Sequence, residues 1–216
     1  MNDLLAMVSA AGPLAGGWGV HGLWMRRRLS AARRDPLSGL WTRAPFERRA
    51  ARLLSRYEYV IVVLVDLDGF KALNDTFGHA AGDAAIRATA ASLTEALTSR
   101  RGAVVARLGG DEFAAVVPLE DPFTLSWLLN DLHGALTAPF TYRGRTVRVG
   151  ASVGACLTAE LPSPSLPLAL RRADEAMYTA KRAGGGWCVA DGPEPTHTSR
   201  NGRRAGRPGT GGREAA

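Results

Sequence analysis

The chain has 216 residues, 46% hydrophobic and 22% charged, with a formal net charge of +7, 25 Gly, 12 Pro and two Cys. That apolar share at ordinary charge density excludes a disordered polymer. Two cysteines supply neither a disulfide framework nor a four-cysteine zinc site, so Cys156 and Cys188 read as buried small apolar residues of a reducing compartment.

The basic charge lies at the ends. Residues 1–34 carry five Arg against Asp3, and residues 191–216 carry five Arg against Asp191, Glu194 and Glu214, which leaves 35–190 at a net +1. A near-neutral middle argues against a nucleic-acid-binding face, and no nucleic-acid partner is expected. The chain therefore divides into an N-terminal segment and basic linker (1–34), a folded domain (35–190) and a Gly/Arg-rich tail (191–216) whose composition predicts disorder.

Leu4 to Met25 contains no Asp, Glu, Lys or Arg, and Arg26, Arg27 and Arg28 follow at once. At a rise of about 1.5 Å per residue this stretch reaches about 33 Å, enough to cross a bilayer core. As an anchor it would hold the folded domain on the cytoplasmic face of the membrane. Gly12, Gly16, Gly17, Gly19 and Gly22 dilute the segment and Pro13 and His21 interrupt it, so an interfacial segment and a disordered leader stay open beside the anchor.

Within the domain, Pro45 to Tyr57 has a Pro start and apolar residues at helical spacing, which predicts a helix. The run Val60 to Val65 predicts a strand buried on both faces. Asp83 to Leu97 predicts a helix with Ile86, Ala90, Leu93 and Leu97 on one face. Val104 to Leu108 and Phe113 to Val117 read as a hairpin around Gly109-Gly110-Asp111-Glu112. A helix over Phe123 to Leu136 follows, then a strand pair, Phe140 to Tyr142 with Thr146 to Leu157. Leu166 to Arg182 predicts a long helix ending at Gly184-Gly185-Gly186, and Trp187 to Ala190 a last strand. Strands and helices alternating without internal repeat give an α/β, or α+β, sandwich around a mixed sheet.

Chemistry concentrates at acidic groups. Asp66 and Asp68 close a buried strand on one side of it, where two neighbouring carboxylates are costly to desolvate unless a cation relieves them. Asp111 and Glu112 occupy the hairpin tip. If the two strands are neighbours, the four carboxylates converge on one point. Oxygen-only ligands favour a hard ion such as Mg²⁺. The chain holds 25 Arg but only two Lys, Lys71 and Lys181; a compact, mobile ammonium suits a phosphate.

These residues fall into blocks that resemble the GGDEF, or diguanylate cyclase, family. Arg107-Leu108-Gly109-Gly110-Asp111-Glu112-Phe113 is similar to its naming motif, and the stretch from Asp66-Leu67-Asp68-Gly69-Phe70-Lys71 through Asn74-Asp75 to Gly78-His79 to the block before it. Gly82-Asp83, the opening Asp35-Pro36-Leu37-Ser38-Gly39-Leu40, Ser152-Val153-Gly154, and Ala173-Asp174-Glu175-Ala176-Met177-Tyr178-Thr179-Ala180-Lys181 match further blocks, all in family order over about 35–190.

The resemblance implies a palm-like fold, as in nucleotidyl cyclases and polymerases, and condensation of two GTP into cyclic di-GMP with release of pyrophosphate. By it, Asp66, Asp111 and the Leu67 carbonyl bind metal, two Mg²⁺ (or Mn²⁺) per active site. Glu112 helps bind metal or activate the attacking hydroxyl. Asn74 and Asp83 read guanine, Lys71 and Lys181 hold the triphosphate, Phe70 and the Gly69 backbone help seat the phosphates, and Gly109 and Gly110 let nucleotide approach closely. One GTP per site and a two-GTP product imply a homodimer. The alternative is a catalytically inactive module that binds GTP or cyclic di-GMP.

Two departures matter. Where the family often carries an Arg four residues after the helix Lys, this chain has Gly185, which puts the phosphate grip in doubt and leaves Arg182 as a candidate substitute. The family's inhibitory R-x-x-D stands here as Arg100-Arg101-Gly102-Ala103, so feedback inhibition through that site is expected to be weak or absent.

Overall fold

The computed structural model describes residues 33–192. The readings of 4–25 and of the tail beyond Gly192 lie outside the described residues, among which no helix is long and apolar enough to cross a membrane. In chain order the elements are α1 (Arg43–Leu54), β1 (Val60–Asp68), α2 (Phe70–Phe77), α3 (His79–Ala96), β2 (Val104–Gly109), β3 (Glu112–Pro118), α4 (Leu125–Leu136), β4 (Phe140–Tyr142), β5 (Arg145–Val147), β6 (Gly150–Leu157), α5 (Leu166–Arg182) and β7 (Gly186–Val189).

Five strands form one sheet in the order β2-β3-β1-β6-β7, antiparallel except for the β6–β7 pair. β1 is central, and Val60 to Leu67 are all buried, which is why its sequence runs apolar without alternation. Ile61, Val63, Val65 and Leu67 pack on one face with residues of α3 and α4 such as Ile86, Leu93, Leu129 and Leu132. Val60, Val62 and Leu64 pack on the other face with residues of α1 and α5 such as Phe46, Ala50, Ala169 and Ala173. Asp66 and Asp68 continue that second row.

α5 lies unusually close to the sheet. A Cβ on Gly154 would sit 2.0 Å from the Ala173 carbonyl oxygen and 2.2 Å from the Met177 nitrogen. Gly154 thus lets the helix backbone rest on β6, and the buried helix face is correspondingly small, with Ala169, Ala173, Ala176 and Ala180. Buried Arg172 pairs with Glu175 and donates to the carbonyls of Asp191 and Gly192, tying the exit of β7 back to α5.

The sandwich and mixed sheet are as expected, with three differences in detail. Residues 146–157 are not one strand. The chain breaks at Arg148–Val149, so β4 and β5 make a separate hairpin while β6 enters the main sheet. The hairpin turn has Arg143 at φ 48° and Gly144 at φ 75°, the positive pair a two-residue turn of this kind needs. Val147 is drawn away from the main sheet into a third apolar cluster with Leu73, Ala81 and Ala85. Second, Phe70–Phe77 forms a helix absent from the expected elements: its apolar residues, Phe70, Leu73 and Phe77, stand at helical spacing, but it is only eight residues long and buries only Leu73. Third, α3 begins at His79, four residues before the expected start, and a short 3₁₀ turn at Pro122–Thr124 precedes α4.

Of the cysteines, Cys156 is buried as expected and burial pushes its thiol up to about 12, whereas Cys188 is only half-buried.

Candidate active site

The site forms at the C-terminal end of β1, between β3 and β6. Asp66 lies directly opposite Glu112 on β3 and opposite Ser152 on β6. Residues directly opposite on antiparallel strands share a face, so Asp66 and Glu112 project to the same side. The Leu67 amide donates to the Asp111 carbonyl at 3.3 Å, which holds the β2–β3 turn against the strand end. The stretches carrying Asp66 and Asp111 are therefore adjacent.

The four carboxylates do not gather at one point. The buried Asp66 carboxylate is ion-paired with the Lys181 ammonium from the last turn of α5. Asp68 instead accepts a hydrogen bond at 2.8 Å from the hydroxyl of Ser152, a fully buried residue. Among the described residues, no three His, Cys, Asp or Glu side chains stand together as a metal-holding group. Residues that could hold a divalent ion are Asp66, Asp111 and Glu112 with the Leu67 carbonyl. Their fit rests on chemistry: every donor is an oxygen, and the buried Asp66 carboxylate already takes a cation as its partner.

A clamp not foreseen from the sequence sets the hairpin tip. Arg107 donates through Nε and Nη2 to the Gly110 carbonyl at 3.0 and 2.8 Å, and through Nη1 to Asp35 Oδ2 at 3.0 Å. That same Asp35 oxygen accepts the Ser38 amide at 2.7 Å. Burial pulls the Asp35 carboxyl upward, but the Ser38 and Arg107 hydrogen bonds outweigh it and hold the pKa below the ordinary carboxylate value. Gly109 at φ 151° and Gly110 at φ 53° make the turn, with a bulge between Arg107 and Gly109.

The segment bearing Asp35 is fixed in turn by Trp41. Its indole lies between the guanidinium groups of Arg34 and Arg49, at 3.6 and 3.5 Å from the ring centroid. Its backbone bonds to Val105 and Arg107 along the edge of β2. Both clamp partners stand inside recognisable motif blocks. Their pairing across 72 residues is what sequence spacing conceals.

Asn74 and Asp83 come from the antiparallel turn-around of α2 and α3. A Cβ at Gly82 would fall 2.1 Å from Asn74 Oδ1, so Gly82, the residue before Asp83, makes the space that the carboxamide occupies. Asn74 Oδ1 is buried and has no hydrogen-bond partner among the described residues, so it is an acceptor that a donor on a bound molecule could serve. Gly69 takes φ 72° to turn β1 into α2. Phe70 is half-buried against the main and third apolar clusters, and Lys71 is exposed.

At the end of α5, Gly184 N–H donates to Lys181 O and Gly185 N–H to Ala180 O, a Schellman stop. Gly185 has φ 109°, and a Cβ there would lie 3.2 Å from Asp68 Oδ2. The position where the family often has Arg thus borders the site but carries no charge, and Arg182 is exposed.

The sequence model described as "Diguanylate cyclase, GGDEF domain" matches residues 32–186. An uncharacterised 19.3 kDa protein of Streptomyces ambofaciens is 50% identical over 165 residues, 76% of this chain and 87% of that protein. Diguanylate cyclase DgcP of Pseudomonas aeruginosa is 35% identical over 155 residues, 69% of this chain but only 22% of DgcP. The solved GGDEF domain of the P. aeruginosa protein TpbB superposes with a TM-score of 0.67 at 35% identity, covering 73% of this chain and 94% of that domain.

Proposed function

The chain belongs to the GGDEF domain family, and from that premise we propose that it is a diguanylate cyclase, joining two GTP into cyclic di-GMP with loss of two pyrophosphates. The observation that carries this reading is the β1–β3 register: Asp66 faces Glu112, and the Asp111 carbonyl is bonded to the next amide of β1. In each transfer the 3′ oxygen of one nucleotide bonds the α-phosphorus of the other and the bond to pyrophosphate breaks.

Asp66, Asp111, Glu112 and the Leu67 carbonyl would hold Mg²⁺ or Mn²⁺, two per site. When bound, the ions supply Lewis-acid neutralisation of charge at the α-phosphate and a more acidic ribose hydroxyl. The chain's own groups do the rest. Lys71 and Lys181 bind the triphosphate and the Gly69 backbone and Phe70 seat it. Gly109 and Gly110 leave room for its approach. Asp83 accepts from guanine N1–H and its 2-amino group, and Asn74 Oδ1, against Gly82, is a further acceptor. Two chains must face each other, since each supplies one nucleotide.

Purified protein incubated with Mg²⁺ and GTP should yield cyclic di-GMP, and Glu112→Ala should lower turnover by about two orders of magnitude or more. Gly185 favours a second reading, a nucleotide-binding module without turnover. Absence of product from the wild-type chain, even when fused to a dimerising coiled coil, would establish that reading and overturn the first.

A further inference from the structure

We propose that Lys181 is the resident cation of the metal-free site and that one ammonium serves two anions in turn, Asp66 before loading and the triphosphate after it. This rests on reading the site as a nucleotidyl-transfer centre. Asp66 is 5% exposed and its ion pair is with Lys181, whose own side chain is 44% exposed. A carboxylate so buried is costly without a counter-charge, and Glu112 on the same face of the sheet makes the demand for positive charge greater.

Lys181 meets that demand with a long, half-exposed arm. The backbone beneath it is pinned by the Schellman stop at Gly184 and Gly185, so the ammonium can relocate by side-chain rotation while α5 stays in place. No second cation stands ready one turn on, because position 185 is Gly and its backbone abuts Asp68.

A divalent ion and an ammonium cannot share the same carboxylate oxygen without strong repulsion. Metal entry at Asp66 Oδ1 thus displaces Lys181, and a phosphate that receives the ammonium favours the exchange. Metal alone should bind weakly, and metal and nucleotide should strengthen each other reciprocally. Lys181 is here a positioning residue that couples the two ligands.

The test is Mn²⁺ titration of the full chain by electron paramagnetic resonance, with and without α,β-methylene-GTP. With Mn²⁺ held by the analogue alone subtracted, wild type should bind Mn²⁺ about tenfold tighter with the analogue than without it. Lys181→Met should bind Mn²⁺ alone about tenfold tighter than wild type and gain little from the analogue, and Lys181→Arg should behave as wild type. Lys181→Gln repeats the comparison with a polar side chain, so a folding defect in one variant leaves the answer intact. Adding Asp66→Asn should erase the gain. If the analogue tightens Mn²⁺ binding to wild type but both neutral variants bind Mn²⁺ alone no better than wild type, the proposal is wrong and the metal reading survives. If no variant binds Mn²⁺ even with the analogue, the nucleotidyl-transfer reading fails and takes this one with it.

Discussion

Gly82→Ala isolates the proposed guanine pocket from the fold. The new methyl would lie 2.1 Å from Asn74 Oδ1 and 2.9 Å from its Cγ, against ordinary contacts of about 3.5 Å, so the carboxamide must move by more than about 1 Å. The obstacle is a side-chain end and not backbone, and an off-rotamer shift costs about 0.5–1.5 kcal/mol. Replacing Gly by Ala inside a helix returns about 0.5–1 kcal/mol, so the melting temperature should move by no more than about 3 °C. Affinity should respond differently. Losing one hydrogen bond to the base amounts to about 1 kcal/mol or slightly more, which raises KM for GTP about tenfold with kcat little changed. Pyrophosphate release at steady state and calorimetric GTP binding measure both. Because Gly82→Ala and Asn74→Ala disable one contact, their double variant should match Asn74→Ala alone. An unchanged KM in Gly82→Ala, or penalties that add, would refute the argument.

Gly154→Ala addresses packing. Its methyl meets the carbonyl oxygen of Ala173 at 2.0 Å, an obstacle no rotamer relieves, so α5 must shift at a cost of about 3 kcal/mol, or about 10 °C in thermal denaturation; a fall under 2 °C contradicts the close seat of α5. Asp35→Asn addresses the clamp through pH. The folded pKa lies below the unfolded one, so the wild-type advantage should be complete above about pH 4 and disappear as acid protonates the folded carboxylate. Melting both proteins at pH 6 and about pH 2.5 checks the sign, and a gap that widens in acid would be contrary to it.

How far these features were legible depends on whether a signal was local. β1 announced itself because burial on both faces leaves an unbroken apolar run, and α5 because a run of Gly stops it. α2 gave a weaker sign: Phe70, Leu73 and Phe77 stand at helical spacing, but over only eight residues and with only Leu73 buried, and its ends are set by Gly69 and Gly78 turning the chain. The merged strand over 146–157 failed for a related reason, since Val147 and Val149 look alike in sequence whichever sheet or cluster receives them. At the candidate site, residue types and spacing pointed to Asp66, Asp111, Glu112 and Lys181, which the fold brings to the C-terminal end of β1 and the adjoining turn. Side-chain partners were not legible, since they depend on register: Ser152 reaches Asp68 diagonally across β1–β6, and Arg107 reaches Asp35 through a turn far away in the chain.

The end of α5 shows how a local backbone choice sets the charge of the site. With Gly184 and Gly185 both at positive φ, the helix closes on itself three residues short of position 185, and the chain turns at once into β7 opposite Ser152. A side chain at 185 would start beside Asp68 Oδ2, in a conformation that L-residues adopt at a cost of about 1–2 kcal/mol. Gly185→Arg alone would therefore aim its charge at Asp68 and strain the turn, and would not rebuild a grip on phosphate. Restoring one would also require replacing Gly184, so that the helix runs on for another turn. In the chain as it stands, the charge delivered from α5 to the β1 end is Lys181, in contact with Asp66, and the coupling of metal and phosphate proposed above rests on that one contact.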